Sequence, residues 1–399
     1  MTIHDVEHIS CPKCNEETFR RLDIHNNHIL WKCKRCSYTE TEKLFPIRKK
    51  VIYLDQFVYS LFLKSSKKED KWKKLGDKLN ELIEDQIIVC PYSTIHQTET
   101  EFYKTYFTEL TKLYRKYSLG IEFNHPFEIE QHQLIHSLNN FLYKKESSAY
   151  KPIWRHGIEK DPHQWASRLS LFVNININLS EINRAEKLKK ETCKKIQKRY
   201  DEIYKEEMKS FNKDYDIEKG FLAEVIISNH RKNEELTRDI MLGNRPMEAY
   251  FELLNDHVEW MLPQINASGE KNSNPFNILI EFLSSEEFYQ TPYVRIWAYL
   301  FAALDQKVRA SGRRAQEGDY YDIRAISNFL PYCDVMIIDN EFRGLLEERG
   351  APLTMEFDTL IISGKTLDSL YNHFAKWIAS TDTDKIRDVY NNLDRDSFF

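Results

Sequence analysis

The sequence predicts an α/β protein built on a parallel sheet, with a large helical insertion in the sheet domain and a small cysteine module in front of it. Two observations predict the sheet: four short runs rich in β-branched residues, and helical patterns that separate one run from the next. Parallel strands need such crossovers, and strands buried on both faces have continuous apolar sequences. A third observation predicts the small module, because four of the seven cysteines fall in two Cys-x-x-Cys pairs near the start of the chain.

Composition limits the class of protein. Of 399 residues, 41% are hydrophobic and 30% are charged, which is typical of a folded chain and not of a disordered one. The net charge of -5 excludes a simple polycation, so any contact with nucleic acid must come from local basic patches. No apolar run approaches eighteen residues, and the start MTIHDVEHIS lacks a signal-peptide pattern. With cysteines in metal-site spacing, we expect a cytoplasmic protein without a membrane partner.

The cysteine module covers residues 1–45. Its two Cys-x-x-Cys pairs are separated by eighteen residues, in which FRRLDI and HILWKC are predicted as strands around a turn at 25–28. Two such knuckles supply four thiolates at tetrahedral geometry, the pattern of a zinc ribbon. The predicted ligands of a structural Zn²⁺ are Cys11, Cys14, Cys33 and Cys36. A closed four-thiolate site has no open position for water, so this module is expected to bind or brace and not to do chemistry.

The four apolar runs come in the order VIYL, IIVC, VMII and TLII. VIYL ends at Asp55, and VMII ends shortly before Asp339. IIVC is broken by Pro91, after which Ser93 is placed to cap a helix that starts near Thr94. A helical pattern precedes VMII, and others follow it and TLII. The predicted sheet domain therefore consists of two pieces, 46–102 and 291–399.

Residues 103–290 are predicted to be largely helical and form the insertion. Their most basic segment, 184–199, holds eight Lys or Arg and two Glu, a local net charge of +6. A charge run of this kind is usually one solvated face of a helix. The alternative is a surface that tracks the phosphates of a nucleic acid.

Five carboxylates fall near predicted strand ends or helix starts: Asp55, Glu99, Asp319, Asp322 and Asp339. The carboxyl ends of parallel strands meet at one edge of a sheet, where such folds bind their ligands. A single Asp is usually a solvated or capping residue, but clustered carboxylates repel one another and need a cation. Mg²⁺ and Mn²⁺ prefer oxygen ligands, and such a metal can activate a water for attack on phosphorus.

Three segments, VIYLDQFVYS, PYSTIHQTE and GDYYDIRAISNFLPYCDVMIIDNEF, resemble in this order the acidic motifs of PIN-like nucleases. The resemblance covers about 51–102 and 294–365. It implies a parallel α/β domain whose acids bind magnesium or manganese and hydrolyse phosphodiesters, usually in single-stranded RNA. On this resemblance Asp55 is the acid of the first strand, and Glu99 is the glutamate of the helix after the second. Asp322 opens the helix before the fourth strand, and Asp339 ends that strand.

Asp319 lies three residues before Asp322 and is a second candidate for the same role. The long insertion departs from a compact PIN-like domain, and so does Phe57, because the family often has a polar residue two positions after the first acid. Four further side chains are candidates for contacts with substrate phosphate: His96, Arg313, Arg314 and Arg343. For the histidine, the competing interpretation is a residue that packs or hydrogen-bonds inside the core.

Three functions fit these patterns. The leading hypothesis is a metal-dependent endoribonuclease, in which the ribbon and the basic insertion hold single-stranded or structured RNA and the acids activate water. A toxin or phage-defence setting fits a freestanding nuclease with a large insertion. The first alternative is a DNA nuclease that uses the same acids, since the 2′-hydroxyl decides between the substrates and no sequence feature reports on it. The second is an inactive PIN-like protein that binds nucleic acid or protein; a protein partner and an oligomer stay open.

Overall fold

The computed structural model describes residues 9–65, 70–101, 106–144, 150–167, 179–252, 256–269, 274–316 and 318–393. Within these ranges the strands form an antiparallel sheet of three and a parallel sheet of four. The strands are β1 Phe19–His25, β2 His28–Cys33, β3 Thr39–Lys43, β4 Lys50–Leu54, β5 Ile88–Val89, β6 Val335–Ile337 and β7 Leu360–Ile362. None of the helices in these ranges combines the length and the apolar character needed to cross a membrane.

Helices make up most of the described chain. Those before the middle of the chain are α1 Gln56–Lys64, α2 Lys71–Glu84, α3 Thr94–Glu101, α4 Phe107–Ser118, α5 Pro126–Leu142, α6 Trp154–Gly157 and α7 Leu179–Ile203. Those that follow are α8 Phe211–Met241, α9 Val258–Ala267, α10 Pro275–Leu283, α11 Glu286–Tyr289, α12 Pro292–Ser311, α13 Asp319–Phe329, α14 Asn340–Phe357, α15 Leu367–Ala379 and α16 Thr383–Asn391. Two 3₁₀ turns cover Met247–Glu252 and Leu330–Tyr332.

The antiparallel sheet contains the predicted hairpin. Strands β1 and β2 pair from Phe19 opposite Cys33 to His25 opposite His28. A two-residue turn joins them, in which Asn26 and Asn27 have φ of 47° and 63°. Asparagine accepts this left-handed backbone more readily than most residues, and two such residues make the tight turn that suits a twisted hairpin. The third strand, β3, was not predicted. Its sequence TETEK has no apolar alternation, and all five residues are exposed.

The parallel sheet has the strand order β5-β4-β6-β7 and contains all four predicted runs. Its register pairs Leu54 with Ile337 and Ile337 with Ile362. Side chains alternate between the two faces, so that Ile52 packs with helices α1, α2, α4 and α15 while Tyr53 packs with α5, α12 and α13 on the other face. The prediction of a parallel α/β sheet covered by helices is confirmed.

Strand β4 is the point at which the connections change direction. Its partner on one side is β5, which follows it in the chain, and its partner on the other side is β6, which comes much later. Connections that leave in opposite directions open a crevice at the carboxyl ends of the two central strands. Helix α1, which sequence analysis did not predict, begins at Gln56 directly after β4. The backbone N–H of Asp55 donates to the carbonyl of Ile337 at 3.0 Å, which extends the sheet to the edge of the crevice.

Helices from the predicted insertion cover the sheet. Leu110, Tyr114 and Tyr117 of α4 lie in the same apolar cluster as α1 and α2. On the opposite face, Ile129 and Leu134 of α5 pack with the long apolar helix α12. The domain boundaries stay a prediction, but these helices form part of the apolar core that buries the parallel strands.

The ribbon packs at the amino ends of the parallel strands. Trp165 donates its backbone N–H to Asn27 Oδ1 and its indole N–H to the Phe45 carbonyl, both at 2.8 Å. The ring of Tyr390 in α16 lies 5.7 Å from the Trp165 ring, between centroids. Lys49, which directly precedes β4, donates its backbone N–H to His163 at 3.2 Å. The ribbon and the crevice therefore lie at opposite edges of the parallel sheet.

Candidate metal sites

The four cysteines form one compact group. Their sulfurs all lie within 4.8 Å of one another, and in the described part of the chain they are the group of His, Cys, Asp or Glu side chains that meets this spacing. The Cys11 and Cys36 sulfurs are 3.6 Å apart, and those of Cys14 and Cys33 are 3.7 Å apart. A tetrahedron with zinc–sulfur bonds of about 2.3 Å has sulfur–sulfur edges of about 3.8 Å. The predicted cysteines could therefore hold a metal such as zinc.

Local hydrogen bonds prepare these sulfurs for a cation. The backbone N–H of Lys13 lies 3.4 Å from the Cys11 sulfur, and that of Cys36 lies 3.5 Å from the Cys33 sulfur. The Thr18 hydroxyl lies 3.2 Å from the same Cys33 sulfur. The Cys36 amide and the Thr18 hydroxyl together lower the pKa of the Cys33 thiol to about 6. A thiolate is the form that binds metal, so the Cys36 amide and the Thr18 hydroxyl favour the metal-binding form of Cys33.

Asp55 and Asp339 stand at the carboxyl ends of the two central strands. Asp55 directly follows β4 and is 9% exposed. Asp339 caps α14, and its Oδ1 accepts the backbone N–H of Phe342 at 2.7 Å. Burial and then the charge of Asp339 raise the pKa of Asp55 to about 7, against the opposing effect of nearby backbone amides. The two carboxylates are therefore near enough to influence each other's ionisation.

Asp322 and Glu99 form the other side of the same crevice. Asp322 lies in the first turn of α13, and Glu99 lies near the end of α3. Burial is the largest cause that raises the pKa of Asp322 well above its usual value. The next causes are the charges of four other carboxylates, in decreasing order Asp55, Glu99, Asp339 and Asp319. All five predicted acids thus contribute to one electrostatic site.

Asp319 differs from the other four because its carboxylate already has a cation. Arg313 donates to both of its oxygens, from Nη1 to Oδ2 and from Nη2 to Oδ1, each at 2.7 Å. Oδ2 also accepts the backbone N–H of Gln316 at 2.9 Å. A carboxylate gripped through two parallel hydrogen bonds is held firmly in place. Of the two candidates on α13, Asp322 is buried among other carboxylates, and Asp319 is paired with Arg313.

Arg313 joins the two helices that carry the acids. Besides Asp319 at the start of α13, it contacts Glu341 in the first turn of α14, from Nε at 2.7 Å and from Nη2 at 3.1 Å. Its side chain is 7% exposed. The Arg313 hydrogen bond is the largest cause that lowers the pKa of Glu341 to about 2. Because the N–H groups of the buried guanidinium donate to two carboxylates, the structure contradicts the predicted phosphate contact of Arg313 and shows it joining α13 to α14.

His96 is also not a phosphate contact. It is fully buried, and the Ser93 backbone N–H donates to its Nδ1 at 3.0 Å. Its Nε2 therefore carries the proton and donates to the Leu54 carbonyl at 2.7 Å. Burial lowers the pKa of His96 to about 4, so the ring stays neutral. The competing interpretation of a core histidine is correct, and its bond to Leu54 fixes the strand end that presents Asp55.

A buried polar triad that sequence analysis missed lies beside the acids. Gln56 donates to the Thr100 hydroxyl at 3.1 Å, and the Tyr114 hydroxyl contacts both of these side chains. The three residues tie the start of α1 and the end of α3 to α4, within which Tyr114 lies. Since Gln56 follows Asp55 and Thr100 follows Glu99, the triad links the backbones of two acids. No sequence pattern signals it, because its members are far apart in the chain.

The remaining predicted cations, Arg314 and Arg343, lie just before α13 and in the first turns of α14. Arg314 is exposed. Arg343 pairs with Glu347 one turn along α14, and its side chain is 20% exposed. In the basic segment, the described side chains of α7 divide between two faces: Ile196 and Tyr200 are buried, and four lysines are exposed. Those lysines are Lys190, Lys194, Lys195 and Lys198.

Helix α7 contacts the loop that leads into the acid helix. Gln197 accepts the backbone N–H of Ala315 at 2.8 Å through its side-chain oxygen. Lys194 and Lys198 follow one row of the helix beside this contact, four residues apart. Lys194 and Lys198 therefore border the segment that carries Arg313 and Arg314.

The two sites differ in how tightly their ligand atoms meet. The sulfurs are grouped within 4.8 Å, whereas no three of the described carboxylates bring their oxygens as close together. Comparison of the chain with protein-family models, with curated proteins and with solved structures gave no match. The resemblance of the acidic motifs to PIN-like nucleases therefore stays a prediction.

Proposed function

We propose that this chain is a metal-dependent endoribonuclease in which Asp55, Glu99, Asp322 and Asp339 hold Mg²⁺ or Mn²⁺. One observation carries the proposal: β4 and β6 are neighbours in the parallel sheet and bring Asp55 and Asp339 to one crevice, where burial and then the charges of the other carboxylates raise the pKa of Asp322. Buried like charges oppose ionisation, and a cation is what allows them to ionise together. The acidic motifs that resemble PIN-like nucleases support phosphodiester hydrolysis as the reaction.

Some side chains would bind the metal, and others hold those ligands in position. Asp55 and Asp339 are fixed by the strand ends that precede them, and Asp322 and Glu99 face them from helices. Arg313 acts through Asp319 and Glu341 as a positioning residue. A bound divalent cation would supply an activated water and stabilise the leaving oxygen. Asp55, protonated in part at neutral pH, would release its proton on binding the cation.

The ribbon and the lysines of α7 have separate roles in this proposal. We assign Zn²⁺ to the four cysteines, in a reducing compartment such as the cytoplasm. Because the ribbon packs at the opposite edge of the sheet from the acids, it braces the fold. The exposed lysines of α7 border the acid helix and are placed to bind the phosphates of RNA.

Cleavage assays of acid variants test the proposal. Asp55→Asn and Asp339→Asn are expected to abolish Mg²⁺- or Mn²⁺-dependent cleavage of a labelled RNA while the circular-dichroism spectrum is unchanged. The matched control is Asp334→Asn, since Asp334 lies at the amino end of β6, where it pairs with Lys50 at 2.6 Å. Full activity in both acid variants would refute the assignment. A DNA substrate of the same sequence, run in parallel, distinguishes a ribonuclease from a DNA nuclease.

A second candidate is a binding protein that has the fold without the activity. The wider spacing of the carboxylates, compared with the cysteine sulfurs, favours it. Calorimetric titration of the full chain with Mn²⁺ distinguishes the two candidates. A nuclease should bind Mn²⁺ in a way that Asp322→Asn weakens. RNA binding in a chain without a Mn²⁺ site would support the second candidate.

A further inference from the structure

The loop after β7 lies at the same edge of the parallel sheet as the acid crevice. The backbone N–H of Ile338 donates to the Ile362 carbonyl at 2.9 Å, so Ser363 lies beside Ile338 in the register of β6 and β7. Gly364 and Asp339 are the next residues of the two segments. Neighbouring strands are about 4.8 Å apart, so this loop begins next to the backbone that presents Asp339.

Lys71 of α2 is held at this loop. Its ammonium donates to the Gly364 carbonyl at 2.7 Å and lies 5.6 Å from the centre of the Trp72 ring. A Cβ at Gly364 would lie 3.2 Å from the Trp72 ring, so the loop and α2 are closely packed. Trp72 also contacts Phe57 edge to face, with 5.7 Å between the ring centroids. The first turn of α2 therefore packs against both the loop after β7 and the helix that follows Asp55.

Two lysines at this edge present positive charge. An ammonium group has three N–H donors, and the Gly364 carbonyl takes one of those of Lys71. Lys71 is exposed, and so is Lys365, the residue after Gly364. Lys73, two residues further along α2, pairs with Asp77 at 3.1 Å, whereas no carboxylate of the described ranges pairs with Lys71 or Lys365. These two residues, the β7 lysines, can therefore donate to an anionic ligand.

The β7 lysines and the lysines of α7 lie on opposite faces of the parallel sheet. Trp72 of α2 packs in the apolar cluster on the face of Ile52. Ile196 and Tyr200 of α7 pack in the cluster on the face of Tyr53. The acid crevice lies at the carboxyl edge of the sheet, between these two layers of helices. Positive charge therefore lies on both sides of the acids.

A nucleic-acid strand matches this arrangement better than a small anion does. The sheet and the side chains that cover it separate the two groups of lysines, so one phosphate cannot contact both groups, whereas a strand of several nucleotides can. Lysine binds phosphate as a point charge and does not read the base. The crevice itself repels a polyanion until a cation neutralises its carboxylates, and flanking ammonium groups offset that repulsion.

We propose that the β7 lysines bind phosphates of single-stranded RNA on one side of the acid crevice, while the lysines of α7 bind phosphates on the other side. The strand crosses the carboxyl edge of the sheet from one face to the other, and the linkage beside Asp339 is the one within reach of the metal. Because the strand leaves the crevice in both directions, cleavage needs no free end. This inference rests on the proposed nuclease function, whose substrate path it describes.

Binding of a labelled oligouridine at several salt concentrations tests the path. Asp339→Asn serves as the parent protein, so that RNA can be bound in the presence of Mg²⁺ without cleavage. Each phosphate contact with single-stranded RNA contributes about 0.7 to the slope of log affinity against log salt. Lys365→Gln, which removes no hydrogen bond printed by the fold, should reduce the slope by about this amount. Lys71→Gln with Lys365→Gln should reduce it by about 1.4 and weaken binding several-fold.

Two controls separate a local contact from a general loss of charge or a folding defect. Lys73→Gln with Lys376→Gln removes the same charge from α2 and from the last turn of α15, and should change neither the slope nor the affinity. Lys71→Arg keeps the charge and should bind RNA as the parent does. Thermal unfolding of each variant shows whether loss of the Gly364 contact affects the fold.

Hydrogen exchange locates the contact. Saturating RNA should lower deuterium uptake in the peptide that covers residues 363–371 of the parent protein. The same amount of bound RNA should give no protection of this peptide in the Lys71 and Lys365 double variant. Equal protection in the two proteins would contradict a contact at this loop.

The inference is overturned if the β7 variants bind RNA with the slope and affinity of the parent, if the control pair loses as much, or if the parent binds no RNA. Cleavage of the same RNA by the wild type is measured separately. Cleavage together with unchanged binding by the β7 variants would refute the path and leave the nuclease proposal intact. RNA binding that depends on the β7 lysines, without cleavage, would refute the nuclease and leave a nucleic-acid-binding site at this edge.

Discussion

The cysteine centre and the acid crevice are both predicted metal sites, but the fold assembles them in opposite ways. The cysteines come from one segment of 26 residues, 11–36, folded as a hairpin with two knuckles. The acids come from positions between 55 and 339 and meet only because β4 and β6 are neighbours in a parallel sheet. The local site is compact, whereas the assembled site is wider and its members oppose one another's ionisation.

This difference shows which interactions hold each site. In the ribbon, backbone N–H groups of the knuckles lie beside the Cys11 and Cys33 sulfurs, and the Cys36 amide together with the Thr18 hydroxyl favours the Cys33 thiolate. In the crevice, the restraints lie behind the acids: His96 fixes the end of β4, and Arg313 ties α13 to α14. A soft-metal site can be built by its own segment, whereas a carboxylate site needs the surrounding core to keep like charges together.

Loss of the metal from the ribbon should have the largest effect. Structural zinc contributes an apparent free energy on the order of 10–16 kcal/mol to the folding of small zinc modules. Cys33→Ser, or a strong chelator, is expected to remove one zinc per chain and unfold β1–β3, measured by metal analysis and by the fluorescence of Trp31, which is 8% exposed. Cys193→Ser, which changes a cysteine of α7 outside the group, is the control. A zinc-free ribbon that keeps its native spectrum would contradict the prediction.

Disruption of the Arg313 contacts should have the next largest effect, and it falls on the acid crevice. Arg313→Met leaves the buried Asp319 without its cation and leaves Glu341 with Lys307 alone, which costs about 3–5 kcal/mol of unfolding free energy. Misplaced helices should also lower Mn²⁺ affinity by about 10–100-fold, the usual effect of removing a supporting residue. Both quantities are measured by denaturant unfolding and by calorimetry.

Two further variants show whether the Arg313 effect is specific. Arg313→Lys keeps the charge and should restore part of the Mn²⁺ affinity, but it cannot restore the double contact with Asp319. Arg387→Met removes a similar double contact, to Asp85, at the amino ends of the strands, where the side chain is 53% exposed. It should leave Mn²⁺ affinity unchanged. Equal Mn²⁺ affinities in Arg313→Met and the wild type would show that Arg313 does not position the acids.

The same contrast explains what the sequence could and could not predict. The cysteine spacing and the hairpin turn are local features of the sequence. The four strands could be identified because strands buried on both faces have uninterrupted apolar sequences. Asp55 and Asp339 were found because each follows a strand, and Asp319 and Asp322 because each opens a helix, whereas Glu99 was found because its segment resembles an acidic motif. The roles of Arg313 and His96 depend on Glu341, Asp319 and Leu54, which are partners brought together by the tertiary fold. Residues near an acid in sequence could therefore be named, but their partners could not.

Asp55→Asn should make the metal-free protein more stable at neutral pH. The pKa of Asp55 is raised from 3.8 to about 7 in the folded chain, so the folded state retains a proton that the unfolded state loses. Folding is therefore penalised as pH rises above about 4, and the penalty is complete above about 7. Three pKa units correspond to at most about 4 kcal/mol. Asparagine stays neutral and removes the penalty.

Denaturant unfolding of wild type and Asp55→Asn at several pH values, in the presence of a chelator of Mg²⁺ and Mn²⁺ that leaves the zinc in place, measures this difference. The variant should gain stability at pH 8 and lose that advantage near pH 4. Asp77→Asn, which changes an exposed acid of α2 paired with Lys73, should follow the wild type at every pH. A variant that is less stable than the wild type at pH 8 would show that the Asp55 charge is compensated by the protein.

The smallest effect concerns which of the two regions binds RNA. Lys194 and Lys198 lie in the row of α7 beside the loop that leads to the acids, whereas Lys32 and Lys34 are exposed on the ribbon at the opposite edge of the sheet. Lys194→Gln with Lys198→Gln should weaken binding of a labelled RNA by several-fold and reduce the slope of log affinity against log salt by about 1–2, as for lost phosphate contacts. Lys32→Gln with Lys34→Gln removes the same charge and should change neither quantity. If neither double variant changes RNA affinity or its salt dependence, the lysines of α7 form only a solvated face. If only the Lys32 and Lys34 variant weakens RNA binding, RNA binds at the ribbon edge of the sheet, and the ribbon does more than brace the fold.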